Sequence, residues 1–389
     1  MESIRGKVAI VGAADTDVGV VPHMSATQLC VDAALRALKD AGISKDQVDG
    51  LITCNSFAEP YMYHAEAIAE YLQIFPRYCM GVSTGGGTTF SILHHAASAI
   101  LTGVCDTVLI TMADSLRSGL TRDQAMAMQA ATGHAQFETP YGPTVPAYYA
   151  LIAQAHIAKY GTTPEQFARI AVTARMHASL NPSAQMRELI TVEDVLNSRL
   201  IADPLHLLDC SLVSDGGSAV ILTSAERVAD FPNHPVYILG VGEGHGHEHI
   251  SQARSLTTSA AVESGQRAYD MAGLRPEDMD LAQLYDCFTP TVLIELEDLG
   301  FCKKGEAGSF IESGAIELGG SLPVNTHGGL LSHCHPGNPG SMFALTETVL
   351  QLRHQAGERQ VQGAEVALVH GQGGIMSSHT TLILGRDRG

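Results

Sequence analysis

One register in this sequence occurs twice. Laid against Ala268–Phe288, the stretch Ala37–Phe57 matches without a gap, Ala41-Gly42 falling on Ala272-Gly273, Val48-Asp49 on Met279-Asp280 and Phe57 on Phe288. The surrounding elements repeat in the same order. Lys7–Gly12 reads as a buried strand, and Ser25–Ala41 as a helix with Ser25 as N-cap and Gly42 as C-cap. Val48–Cys54 reads as a second strand, Ser91–Leu101 as an apolar helix introduced by Gly85-Gly86-Gly87, and Cys105–Met112 as a third strand. Later come Val236–Gly240, a helix ending at Ala272-Gly273, Met279–Tyr285, a Gly-introduced helix over Gly337–Leu352 and a strand over Glu365–His370. Four elements recurring in order imply a duplication, and so an α/β fold of two similar βαβαβ-type halves. The first half is expected over 1–116 and 209–230, and the second over 231–389. Between them lies an insertion, 117–208, with clusters of Gly, Pro, Met and Tyr.

Composition narrows the class. With 389 residues, 45% hydrophobic and only 16% charged, the chain can bury two fused cores. A net charge of −18 argues against nucleic acid, whose affinity comes largely from Lys and Arg neutralising phosphates. The opening MESIRGKVAIVG has too short an apolar run for a signal peptide, and no window approaches a membrane span of about 20 apolar residues, so a cytoplasmic protein is expected. Eight cysteines without a CxxC pair suit reduced thiols.

Three segments fall at the ends of strands, where reactive groups of α/β folds gather: Ser83–Gly87, Tyr285-Asp286-Cys287-Phe288-Thr289, and Asn325–Gly329 running on to His333–Gly337. Ser83 precedes a helix, where unpaired N–H groups favour an anion; it reads as a helix N-cap or a nucleophile. His335 stands in a Gly-rich loop where its imidazole can donate to a developing oxyanion. The runs His245–His249 and His333–His335 hold metal-ligand residue types, but alternate residues on a strand do not make a tetrahedral site, so no metal is expected. Gly240-Val241-Gly242-Glu243-Gly244 does not complete GxGxxG and reads as a loop.

The element order, Ser214–Ala219, the YDCF segment at Tyr285 and the GGLLSHCHPG segment at Gly328 resemble thiolases of the sterol-carrier-protein type. His177–Pro182 and Ser198–Leu205 resemble that family's loop domain. The resemblance covers essentially the whole chain and implies the thiolase fold in five α-β-α-β-α layers, a homodimer, and acyl-coenzyme A as substrate with no separate cofactor. In degradative members a cysteine heads the helix introduced by Gly85–Gly87; here that position reads Ser83. Tyr285 replaces the histidine of the family's HDCF segment, whereas Cys287 and His335 match. Some relatives in bacterial steroid side-chain degradation are aldolases with a similar YDxFT segment and no such cysteine. Similarity to them implies a small partner with an OB fold and a zinc ribbon.

Serine offers no anion comparable to a thiolate, and no base adjoins Ser83, so an acyl-enzyme is not expected. Retro-aldol cleavage of a β-hydroxyacyl thioester needs only a base for the hydroxyl and donors for the enolate. The expected catalytic residues are Tyr285 for the hydroxyl proton, His335 for the enolate oxygen, Cys287 or a water for the enolate carbon, and Asp286. Ser83, Asn325, Gly328, Gly329 and Gly373 are expected to line the substrate site. A thiolase-type acyltransferase and a non-catalytic acyl-coenzyme A-binding subunit remain the alternatives.

Overall fold

A computed structural model describes residues 4–389. The first half runs β1 (Val8–Asp15), α1 (Ala26–Ala41), β2 (Gly50–Thr53), α2 (His64–Leu72), β3 (Tyr78–Gly81), α3 (Thr88–Leu101) and β4 (Thr107–Ser115). The chain then leaves the sheet for five helices, α4 (Leu116–Gly119), α5 (Arg122–Ala130), α6 (Val145–Tyr160), α7 (Pro164–Ser179) and α8 (Val192–Asn197), and a short hairpin, β5 (Leu200–Ala202) with β6 (Leu205–His206). It re-enters as β7 (Asp215–Ser224). The second half runs β8 (Val236–His245), α9 (Ala261–Ala272), β9 (Leu281–Gln283), α10 (Thr289–Asp298), α11 (Ala307–Glu312), α12 (Gly340–Leu352), β10 (Val366–Gly373) and β11 (Ser378–Gly385).

The strand order is β3-β2-β4-β7-β1-β8-β11-β10-β9. Read outward from the centre, β1-β7-β4-β2 is mirrored by β8-β11-β10-β9, with β2 parallel to β4 and β9 parallel to β10. The halves join through two residue pairs, Ala9 with Tyr237 and Ile10 with Val236. Helices α3 and α12 each touch strands of both halves, and so form the middle layer between the two sheet halves.

The duplicated register acts alike in both halves. Gly42 and Gly273 close their helices in the left-handed conformation. The Asp49 carboxylate accepts the Asp106 and Thr107 N–H groups at the start of β4, and Asp280 accepts those of Glu365 and Val366 at the start of β10. Each aspartate thereby ties a short strand to its parallel neighbour. Phe57 and Phe288 differ in surroundings: Phe57 is exposed, whereas Phe288 is buried against Tyr149.

One expectation fails here: Gly240–Gly244 is not a loop but the body of β8. A Cβ on Gly240, Gly242 or Gly244 would run into the backbone carbonyl of Ala268, Ser264 or Ala260 respectively. Glycine on every second position of one face lets α9 lie directly on the strand, and that contact outweighs glycine's poor strand propensity.

Candidate active site

Four loops converge where the halves meet. Gly85 and Gly373 pack backbone on backbone, since a Cβ on either would strike the other's main chain. Thr88 secures the first loop, its Oγ1 accepting the Thr84 N–H at 2.8 Å. Tyr285–Phe288 follows β9, and α10 begins directly after it with Pro290 in its first turn, where a missing N–H costs nothing. His335 lies between a wide helical turn, Gly329–His333, and α12.

The Tyr285 hydroxyl lies 3.1 Å from His335 Nε2, and His335 Nδ1 lies 2.8 Å from Ser211 Oγ. His335 is further pinned by its main chain: its N–H donates to Ser214 Oγ at 2.9 Å, and its carbonyl accepts the Ser214 N–H at 3.2 Å. Tyr285 is 8% exposed, and burial pushes its phenol well above the usual range, so it rests protonated. Burial pulls His335 down to about 4, so the imidazole rests neutral. When Nδ1 carries the proton and donates to Ser211, the Tyr285 O–H donates to a free Nε2 lone pair.

From the loop before α3, Gly86 is the residue that meets this pair. A Cβ on Gly86 would enter the Tyr285 ring at Cζ, Cε2 and the hydroxyl. The position opposite the pair is therefore Gly86, not Ser83. Helix α3 starts at Thr88 with Gly87 as its cap, so Ser83 is no N-cap. Ser83 is exposed, and its hydroxyl accepts a long 3.4 Å bond from Asn338.

Other expected residues separate into groups. Cys287 is buried beside Tyr149 and Gln372, and burial raises its thiol far above the usual range. Asp286 points away from Tyr285: its oxygens accept the Leu330 and Leu331 N–H groups at 2.7 and 3.3 Å, and burial lifts it to about 7. It holds the wide turn that leads to His335. Asn325 Oδ1 accepts the Leu284 N–H at 2.8 Å, which props the end of β9 and commits the amide to the scaffold. Gly328 and Gly329 are buried against Ala178 and Asp286, where a side chain would collide, so neither lines an open site. Gly373 serves the close approach of the two halves.

Glu295, His370 and His379 bring donor atoms within 4.8 Å of one another, the one such group among the described residues. His370 Nε2 and His379 Nδ1 face each other at 3.0 Å, with ring centroids 5.2 Å apart and planes 25° apart. The facing nitrogens share one proton, which a cation would have to displace. His245, His247 and His249 point at three different partners: Ser378, the Ile375 carbonyl and the His134 ring.

Residues 8–226 match the family model described as thiolase, N-terminal domain, and residues 242–386 match thiolase C-terminal domain-like. The chain belongs to the thiolase family. An acetyl-CoA acetyltransferase of Methanothermobacter thermautotrophicus is 33% identical, covering 97% of this chain and 99% of its own length. A steroid side-chain-cleaving aldolase of Thermomonospora curvata is 37% identical, covering 100% of both. The solved structure of an Ltp2-ChsH2(DUF35) aldolase superposes with a TM-score of 0.89 at 36% identity, over 99% of each chain. Within this thiolase, sequence reasoning missed Gly86, Ser211, Tyr149 and Gln372. Gln372 adjoins Gly373, which was already expected at the site, but Ser211 and Tyr149 come from stretches that carry no motif.

Proposed function

We propose that this chain is a carbon–carbon lyase that splits a β-hydroxyacyl-coenzyme A into a shorter acyl-coenzyme A and an aldehyde or ketone. The observation that carries this reading is the Tyr285–His335 pair facing Gly86, a position with no nucleophile. The substrate hydroxyl passes its proton to Tyr285 Oη as the phenol proton moves to His335 Nε2. The Cα–Cβ bond breaks; its electron pair becomes the thioester enolate, and the β-carbon leaves as the carbonyl product. The Cys287 thiol gives the enolate carbon its proton, and the imidazolium returns one to sulfur, so the enzyme is regenerated and no free coenzyme A is consumed. In this reading His335 acts at the hydroxyl end rather than on the enolate oxygen, because its Nε2 faces Tyr285.

The aldolase among the relatives is described as steroid side-chain-cleaving, which supports a steroid or similarly bulky acyl group here. The Ltp2-ChsH2(DUF35) assembly supports a small partner subunit. A homodimer and a cytoplasmic site complete the proposal; among the described residues no helix is long and apolar enough to cross a membrane.

Mass spectrometry of products from a β-hydroxyacyl-coenzyme A panel, with and without free coenzyme A, tests it. A carbonyl product plus a shortened acyl-coenzyme A, independent of free coenzyme A, is expected. Turnover of β-ketoacyl substrates that requires free coenzyme A would make the chain an acyltransferase instead, a reading favoured by its acetyltransferase relative.

A further inference from the structure

Gln372, at the end of β10, has no part in the steps above, yet its carboxamide is fixed from three sides. Its Oε1 accepts the Met376 N–H at 3.1 Å, which turns the NH2 group the other way. Nε2 then donates to Cys287 Sγ at 3.2 Å and to the Tyr149 hydroxyl at 2.7 Å, one proton for each. Tyr149, reaching in from α6 of the inserted segment, gives its own proton to the Gly374 carbonyl at 3.1 Å. Its ring is stacked on Phe288 with centroids 4.4 Å apart. Tyr149 and Gln372 are each 1% exposed, so water does not compete for these bonds.

The direction of these bonds matters. In this network the Cys287 sulfur accepts the Gln372 N–H beside the Tyr149 hydroxyl, so the carboxamide does not take its S–H. Tyr285 and Cys287, two positions apart, flank Asp286, whose carboxyl group is turned away to the Leu330 and Leu331 amides. After burial itself, the Cys287 thiol is what most raises the Tyr285 phenol, so the two side chains lie near each other.

We propose that Gln372, steadied by Tyr149, is the positioning residue for Cys287: it holds the sulfur by donating to it and directs the S–H at the enolate carbon. This rests on the cleavage reading. The thiol proton moves to carbon while its bonding pair stays on sulfur, and the Gln372 N–H becomes a charge-assisted donor to the thiolate until the imidazolium reprotonates it. The inserted segment thus contributes to the proton chemistry and not only to the shape of the pocket. Neutrality of the resting thiol, held by burial, agrees with an acid rather than a nucleophile.

Exchange of the α-hydrogens of propionyl-coenzyme A in D2O reads this step without any carbon–carbon bond breaking. The purified protein, with any subunit that co-purifies, is expected to exchange them. Gln372→Met, similar in volume but without a donor, is expected to slow exchange by about tenfold with KM within about twofold, and to lower the thermal midpoint by a few degrees through the lost buried bonds. Tyr149→Phe keeps the ring stack and loses the hydroxyl; about threefold slower exchange is expected, and it decides the matter if Gln372→Met fails to fold. Wild-type exchange in both variants, or none in the unaltered protein, overturns the positioning role. Exchange that responds to Gln372 in a protein that cleaves no β-hydroxyacyl substrate would keep the positioning role and remove the lyase.

Discussion

Tyr285 and His335 stand 50 positions apart in sequence and 3.1 Å apart in space, each neutral at rest for the same reason. Burial raises the proton affinity of the phenolate and lowers that of the imidazole. A proton delivered to the pair is therefore held only while the substrate supplies the compensating negative charge. Tyr285→Phe, which keeps the ring and removes the relay, is expected to lower kcat by about 10²-fold or more with the fold intact. Turnover within twofold of wild type would exclude Tyr285 from the chemistry.

The pH profile separates this pair from an ordinary histidine. Activity needs the neutral imidazole, and His335 has its folded value pulled from 6.5 to about 4. The acid limb of kcat is expected near pH 4, with activity held down to about pH 5. A limb near 6.5, with circular dichroism unchanged through that range, would show that a solvated histidine governs the rate.

Gly86→Ala is the sharpest test of the site's shape. The added methyl must displace the Tyr285 ring. A loss of about 10²-fold is expected in a folded protein, because a misplacement of about 1 Å is enough to cost that much. Ser83→Ala, four residues upstream of Gly87, is expected to stay within about twofold of wild type. Abolished turnover in Ser83→Ala would restore the nucleophile that the geometry denies.

Asp286 gives a stability signature rather than a kinetic one. Its folded value is raised from 3.8 to about 7, so its contribution is present at low pH and is lost as pH rises through 7. Asp286→Asn lacks that titration. The stability difference between wild type and variant is expected to shift toward the variant by about 1 kcal/mol per pH unit between pH 4 and 7. Denaturant unfolding at several pH values measures it, and a flat difference would contradict the buried, neutral carboxyl.

The packing of β8 against α9 is checked by Gly242→Ala. A Cβ there meets the Ser264 carbonyl, backbone that cannot swing aside. Destabilisation of about 1–3 kcal/mol is expected from calorimetry, and a wild-type midpoint would mean that the strand and helix can move apart freely.

The parts of this fold that sequence reveals are those set by neighbours along the chain. Gly42 and Gly273 end helices, and Asp49 and Asp280 fasten strands in matching registers, all through contacts that begin locally. Gly240–Gly244 misled because glycine signals a loop until a helix 20 or so residues later is seen to need the space. The same blindness affected the site. Tyr285 and His335 stood out as reactive groups in Gly-rich loops, but Gly86 mattered for what it lacks, and an absent side chain leaves no motif. Ser83 drew attention because it has a hydroxyl, although exposure leaves it outside the centre. Tyr149, Ser211 and Gln372 reach Cys287 and His335 from three distant stretches, a convergence that only the folded chain displays.

The backbone contact of Gly85 with Gly373 sets the limits within which this catalyst can diversify. Because main chain forms the wall between the halves, no rotamer change can widen or narrow it, and any larger residue would part the halves. New substrates must be accommodated elsewhere, most directly by the inserted segment that sends Tyr149 inward. The chemistry is thus held by this main-chain frame together with Tyr149, while the range of acyl groups can change with the rest of the inserted segment.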